Sequence, residues 1–135
     1  MLFRSPHVWQ HERVSIRCLL VDDSGAFIEA ASVLLQREGM TVAGVASNSA
    51  EALRQARALR PDVVLVDLGL GDESGFVLAR LLAQDGPGSN AEVILISARA
   101  EIDYAELIAE SPAAGFLAKS ELSARAIGRL LGHTR

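Results

Sequence analysis

The sequence predicts an α/β domain of five βα units, an open parallel sheet with helices on both faces. Short apolar runs without polar alternation recur along the chain, the mark of strands covered on both sides. Longer amphipathic segments separate them, and right-handed crossovers between such units make the strands parallel. The length, 135 residues, suits one domain that buries its own core.

The first strand is RCLLVD, residues 17–22. A helix is expected over 25–38, where Phe27, Ala31, Leu34 and Leu35 share a face and Gly39 follows as a stop signal. TVAGVA (41–46) is the second strand. The helix over 48–60 opens with Asn48 and Glu51, a cap and its partner three residues on, carries Leu53, Ala56 and Leu59 inward, and ends at Pro61. DVVLVD (62–67) is the third strand, and the helix over 75–84 carries Val77, Leu78, Leu81 and Leu82 before the loop DGPGSN (85–90). EVILIS (92–97) is the fourth strand, followed by a shorter helix over 101–110 closed by Ser111 and Pro112. AGFLAK (114–119) is the fifth, followed by a helix over 121–131 with Leu122, Ala126, Ile127, Leu130 and Leu131 in its stripe.

Composition narrows the function. Half the residues are hydrophobic and 4% are aromatic, so the core is aliphatic. Cys18 is the only cysteine, which excludes an internal disulfide, fits a reducing compartment and reads as a small buried hydrophobe. The net charge of −4, with no long Lys/Arg cluster, argues against a direct nucleic-acid surface. No apolar run approaches the roughly 20 residues of a membrane span. The first fifteen residues lack the apolar stretch of a signal peptide. They read as a tail, 1–15, with His7, Trp9 and His11 on a plain extension; the domain is expected over 16–135.

Ligands of open parallel sheets bind outside the carboxyl ends of the strands. At that rim the first strand delivers Asp22 and Asp23, the third Asp67, the fourth Ser97 and the fifth Lys119. Each has a bland reading alone: helix caps for Asp22, Asp23, Ser24 and Ser97, an acceptor of loop amides for Asp67, a solvated charge for Lys119. Together they are a constellation. Three carboxylates in one crevice need a counter-charge, and hard oxygen ligands suit Mg²⁺. Asp67 then acts as a nucleophile toward phosphorus, with Lys119 and the Ser97 hydroxyl stabilising the phosphoryl oxygens.

This arrangement resembles the receiver domain of two-component response regulators. The resemblance spans residues 17–131 and rests on DD (22–23), DLGLGDESG (67–75), SA (97–98) and GFLAK (115–119). It implies a flavodoxin-like (βα)5 doubly wound sheet of order 2-1-3-4-5. It implies Asp67 as phosphoacceptor, Asp23 and Asp67 as direct Mg²⁺ ligands, Asp22 acting through water, and the backbone carbonyl of Gly69 completing the set. Ser97 matches the switch hydroxyl, Phe116 the switch aromatic, Lys119 the lysine that pairs with the phosphoryl group, and Gly75 the family's glycine. Gly69 and Arg99 occupy positions that tune phosphoryl lifetime.

The implied function is a cytoplasmic phosphoacceptor, not an enzyme beyond its own aspartate phosphorylation and dephosphorylation. A histidine kinase or phosphotransfer protein donates, and a downstream protein reads the switch. No membrane or direct nucleic-acid contact is implied, and homodimerisation through the fourth and fifth helices follows from the resemblance alone. Gly71 and Ser120 stand where the family often has proline, the second after a cis bond. The Lys-Ser variant resembles receivers joined to helix-turn-helix output domains, and no such domain is expected within residues 1–135.

The residues admit three other readings. GLGDESG (69–75) misses the dinucleotide spacing, because its last glycine comes one residue late. An aspartyl phosphatase would want a second acid where Gly69 stands. An interaction module that signals without phosphorylation is the alternative from a different class.

Overall fold

The computed structural model describes residues 15–84 and 91–132. Five parallel strands form the sheet: β1 (Arg17–Val21), β2 (Thr41–Ala46), β3 (Val63–Asp67), β4 (Glu92–Ser97) and β5 (Gly115–Ala118). Their order is 2-1-3-4-5, as the resemblance implies. The helices are α1 (Gly25–Arg37), α2 (Ser49–Leu59), α3 (Gly75–Ala83), α4 (Ala105–Glu110) and α5 (Ala124–Leu130).

Strand residues alternate between two apolar layers. Leu19, Val21, Val64, Val66, Val93, Leu95 and Phe116 point to one face, packed with Ala52 and Ala56 of α2 and Leu78, Ala79 and Leu82 of α3. Leu20, Leu65, Ile94, Ile96 and Leu117 point to the other, with Ala31 and Leu35 of α1 and Ile127 of α5. Each fully buried aliphatic side chain contributes about 1.5–3 kcal/mol, and β3 is buried along its whole length. Burial also pushes the Cys18 thiol up to about 12, consistent with an inert core residue. β2 lies at the sheet edge and is only half covered; its register with β1 shifts between Cys18 and Leu19, where Ala43 is passed over.

The structure departs from the sequence reading in four places. Residues 101–110 are not one helix: Glu101–Tyr104 is a 3-10 turn and only then does α4 begin. No side chain caps the start, and the Asp103 amide bonds three residues back to Ala100. The last helix starts at Ala124 rather than 121, because the Ser123 hydroxyl caps it by accepting from the Ala126 amide at 3.0 Å. Val77 and Leu81 face solvent, and α3 buries Gly75, Leu78, Ala79 and Leu82 at helical spacing instead. A short antiparallel hairpin, Gly69–Leu70 with Glu73–Ser74, follows β3. The loop 85–90 and residues 1–14 of the tail lie outside the described residues.

At the amino ends of the strands, Arg17 fastens β1 to the end of α2. Its Nη1 donates to the carbonyls of Leu59 (2.8 Å) and Arg60 (2.9 Å), and its amide donates to Asp62 Oδ2 at 2.8 Å. Arg17→Ala should therefore cost about 1–2 kcal/mol. The check is a urea titration in which the midpoint falls and the slope is unchanged.

Candidate functional site

The carboxyl ends of β1, β3, β4 and β5 bring Asp22, Asp23, Asp67, Ser97 and Lys119 to one rim. Asp22 continues β1, and its amide donates to the Ala46 carbonyl of β2 at 3.0 Å. It is 1% exposed. Its Oδ1 accepts from the Ser24 amide at 2.8 Å, and the Ser24 hydroxyl accepts from the Phe27 amide at 3.2 Å, capping α1. The capping role thus falls to Ser24, while Asp22 braces it and Asp23 stays at the surface.

Asp67 closes β3 and is 9% exposed. Burial, and then the Asp22 charge beside it, push its carboxyl up to about 6; the Lys119 ammonium and the Gly69 amide pull the other way. Oxygens of Asp22, Asp23 and Asp67 lie within 4.8 Å of one another. Asp22 Oδ2 is buried without a hydrogen-bond partner. Lys119 Nζ stands 2.7 Å from that oxygen and 3.8 Å from Asp67 Oδ1, so the contact is charge–charge proximity without hydrogen-bond alignment. Three carboxylates within 4.8 Å, offset by one ammonium, make an all-oxygen donor set that fits a hard divalent cation.

Ser97 closes β4 with its hydroxyl oxygen accepting from the Arg99 amide at 3.0 Å. That bond is the bland capping role, and it leaves the hydroxyl proton available to an acceptor. Asp67, Ser97 and Lys119 line an open cavity of about 450 Å³ with Gly69, Arg99, Phe76 and Tyr104. Phe116 is buried in the core and does not line that cavity.

Sequence reasoning missed Tyr104, whose ring meets Phe76 at 6.2 Å between centroids, tilted by 53°. It also missed the hairpin that forms the lip of the crevice. Gly71 turns that hairpin at φ +63, a conformation closed to proline, so the departure from the family pattern has a local cause. Glu73 ties the lip to α2, its Oε1 accepting from the Ser49 amide at 2.8 Å. Ser120 sits in a 3-10 turn, Lys119–Glu121, and the Lys119–Ser120 bond is trans.

The family model described as the response regulator receiver domain matches residues 18–130. The DNA-binding response regulator MtrA of Mycobacterium tuberculosis is 34% identical over 118 residues, covering 84% of this chain and 50% of that protein. The chain spans about half the length of the curated relatives it matches. The solved receiver domain of the response regulator NarL from Mycobacterium tuberculosis is similar at a TM-score of 0.75 and 28% identity, covering 87% of this chain and 94% of that one. A LuxR-family response regulator from Aurantimonas sp. SI85-9A1 is similar at 0.74 and 26% identity, covering 87% and 86%.

Proposed function

Because the chain belongs to the response regulator receiver family of two-component signalling, we propose that residues 16–135 form a receiver domain, preceded by a tail over 1–15, whose phosphoacceptor is Asp67. The observation that carries this reading is the convergence of three carboxylates within 4.8 Å, with one ammonium between two of them. Asp22, Asp23, Asp67 and the Gly69 carbonyl would hold Mg²⁺. When bound, the ion supplies positive charge that offsets the acids and the phosphoryl oxygens.

The remaining work falls to the chain. A carboxylate oxygen of Asp67 attacks the phosphorus of a phosphohistidine on a kinase or phosphotransfer protein. The P–N bond breaks, its electron pair returns to the imidazole nitrogen, and Asp67 becomes an acyl phosphate. Lys119 pairs with the transferred group, and Ser97 donates its hydroxyl proton to a phosphoryl oxygen. Phe116 repacks with Ser97, and two packings separated by a few kcal/mol suffice for a switch.

The surface that changes lies around α4, β5 and α5, where Ile102 and Leu107 are exposed. It would meet a downstream protein or a second copy of the chain. This is a signalling role in the cytoplasm, without direct contact to nucleic acid. Among the described residues no helix is long and apolar enough to cross a membrane.

Intact mass spectrometry after incubation with Mg²⁺ and acetyl phosphate tests the reading. One phosphoryl group should be gained, and EDTA should prevent it. No gain with Mg²⁺ present would leave the interaction module without phosphorylation as the better account.

A further inference from the structure

Lys119 is the one lysine among the 135 residues, so whatever holds its ammonium sets the only lysine charge the site can use. Two partners are acids, Asp22 at 2.7 Å and Asp67 at 3.8 Å. The third is a ring: Nζ lies 4.3 Å from the centroid of Phe27. We propose that Phe27 is a positioning residue for Lys119, a role that rests on the phosphoacceptor reading above.

Phe27 sits in the first turn of α1, and its amide donates to the Ser24 hydroxyl that caps that helix. The amide of Ser24 in turn donates to Asp22. One short run of backbone therefore places both the acid nearest the ammonium and the ring beneath it. Helical periodicity alone reads Phe27 as core, and it does pack against the layer of Leu35 and Ile127. Its ring face, however, is turned to a cation.

The resting ammonium is closer to Asp22 than to Asp67, so it must lean toward Asp67 to meet a phosphoryl group there. Lysine is a flexible stem that loses rotamer freedom when held. An aromatic face attracts the ammonium without a formal charge, so it steadies the stem and does not compete with it for the acids. With leucine at position 27 the packing volume is largely kept and the attraction is lost.

Three proteins decide the matter: wild type, Phe27→Leu and Phe27→Tyr. The first readout is the rate of phosphoryl uptake from acetyl phosphate with Mg²⁺, which should fall roughly three- to tenfold in Phe27→Leu and return to within twofold in Phe27→Tyr. The second is NMR of isotopically labelled lysine in the metal-free chain, where one side-chain set is expected. The Lys119 Hε signals should lie upfield of their random-coil position in wild type and Phe27→Tyr, through the ring current, and move back toward it in Phe27→Leu.

Unchanged uptake in Phe27→Leu, equal loss in both variants, or Hε signals indifferent to residue 27 would overturn the proposal. If wild type itself gains no phosphoryl group, the phosphoacceptor reading fails, and the lysine signals alone decide whether Phe27 positions Lys119.

Discussion

Asp67→Asn should abolish Mg²⁺-dependent phosphoryl uptake and, in metal-free buffer at pH 7, leave a chain more stable than wild type. The first effect follows from chemistry, since an amide has no anionic oxygen to attack phosphorus. The second follows from burial. The folded protein raises the Asp67 carboxyl from its ordinary 3.8 to about 6, so the fold disfavours the charged form. Well below pH 3.8 the group is protonated folded and unfolded alike, and it costs nothing. Between about 4 and 6 the folded state holds a proton that the unfolded chain has released, so stability falls as pH rises. Above 6 the whole cost is present.

Asparagine carries no such titration. The gap between Asp67→Asn and wild type should be small at pH 4 and reach about 1–3 kcal/mol at pH 7. Saturating Mg²⁺ should narrow it, because a ligand of the folded state stabilises that state. Urea titrations at both pH values, with and without the metal, provide the measurement. A wild type more stable than the variant at pH 7 without metal would contradict the argument.

Gly75→Ala should be severely destabilising although it adds one methyl group. An ideal Cβ on residue 75 would collide with the Asp67 carbonyl oxygen and come within 2.8 Å of the Leu68 Cα. Both are backbone atoms, so no side chain can swing aside. The Gly75 amide also donates to the Leu68 carbonyl at 2.9 Å, which pins the two segments together. Relief requires β3 and α3 to separate, at a cost of about 3 kcal/mol, the upper end of the scale of overpacked cores. Because the clash falls on the peptide carrying Asp67, phosphoryl uptake should fall too. Denaturant midpoint and uptake rate, measured on the same preparation, would show both losses.

Much of the fold could be read from the chain because the inner strands are unambiguous. VVLVD and EVILIS leave no polar face, and Asp67 and Ser97 stand at their ends, so the rim residues follow once the strands are known. The hairpin could not be read, because two-residue strands carry no period and depend on a left-handed Gly71. Nor could the inner face of α3 be told from its outer one: FVLARLLA is apolar nearly all round, and packing on the sheet selects Leu78, Ala79 and Leu82 over Val77 and Leu81. Tyr104 lies in a 3-10 turn, where the α-helical period gives no guide to direction. The rim residues could be named in advance, but not that the ammonium lies nearer Asp22 than Asp67. That is a matter of tenths of a nanometre, set by side-chain packing.

The shift in pairing between β1 and β2 bears on how molecules of this chain meet at high concentration. Open parallel sheets end in bare margins, and a bare margin invites a foreign strand to continue the ladder. One such margin is β2, and the residue passed over in its pairing with β1, Ala43, interrupts the even spacing of its amides. A newcomer could match the spacing on one side of Ala43 but not on both, so a single surplus residue disfavours in-register stacking on this edge.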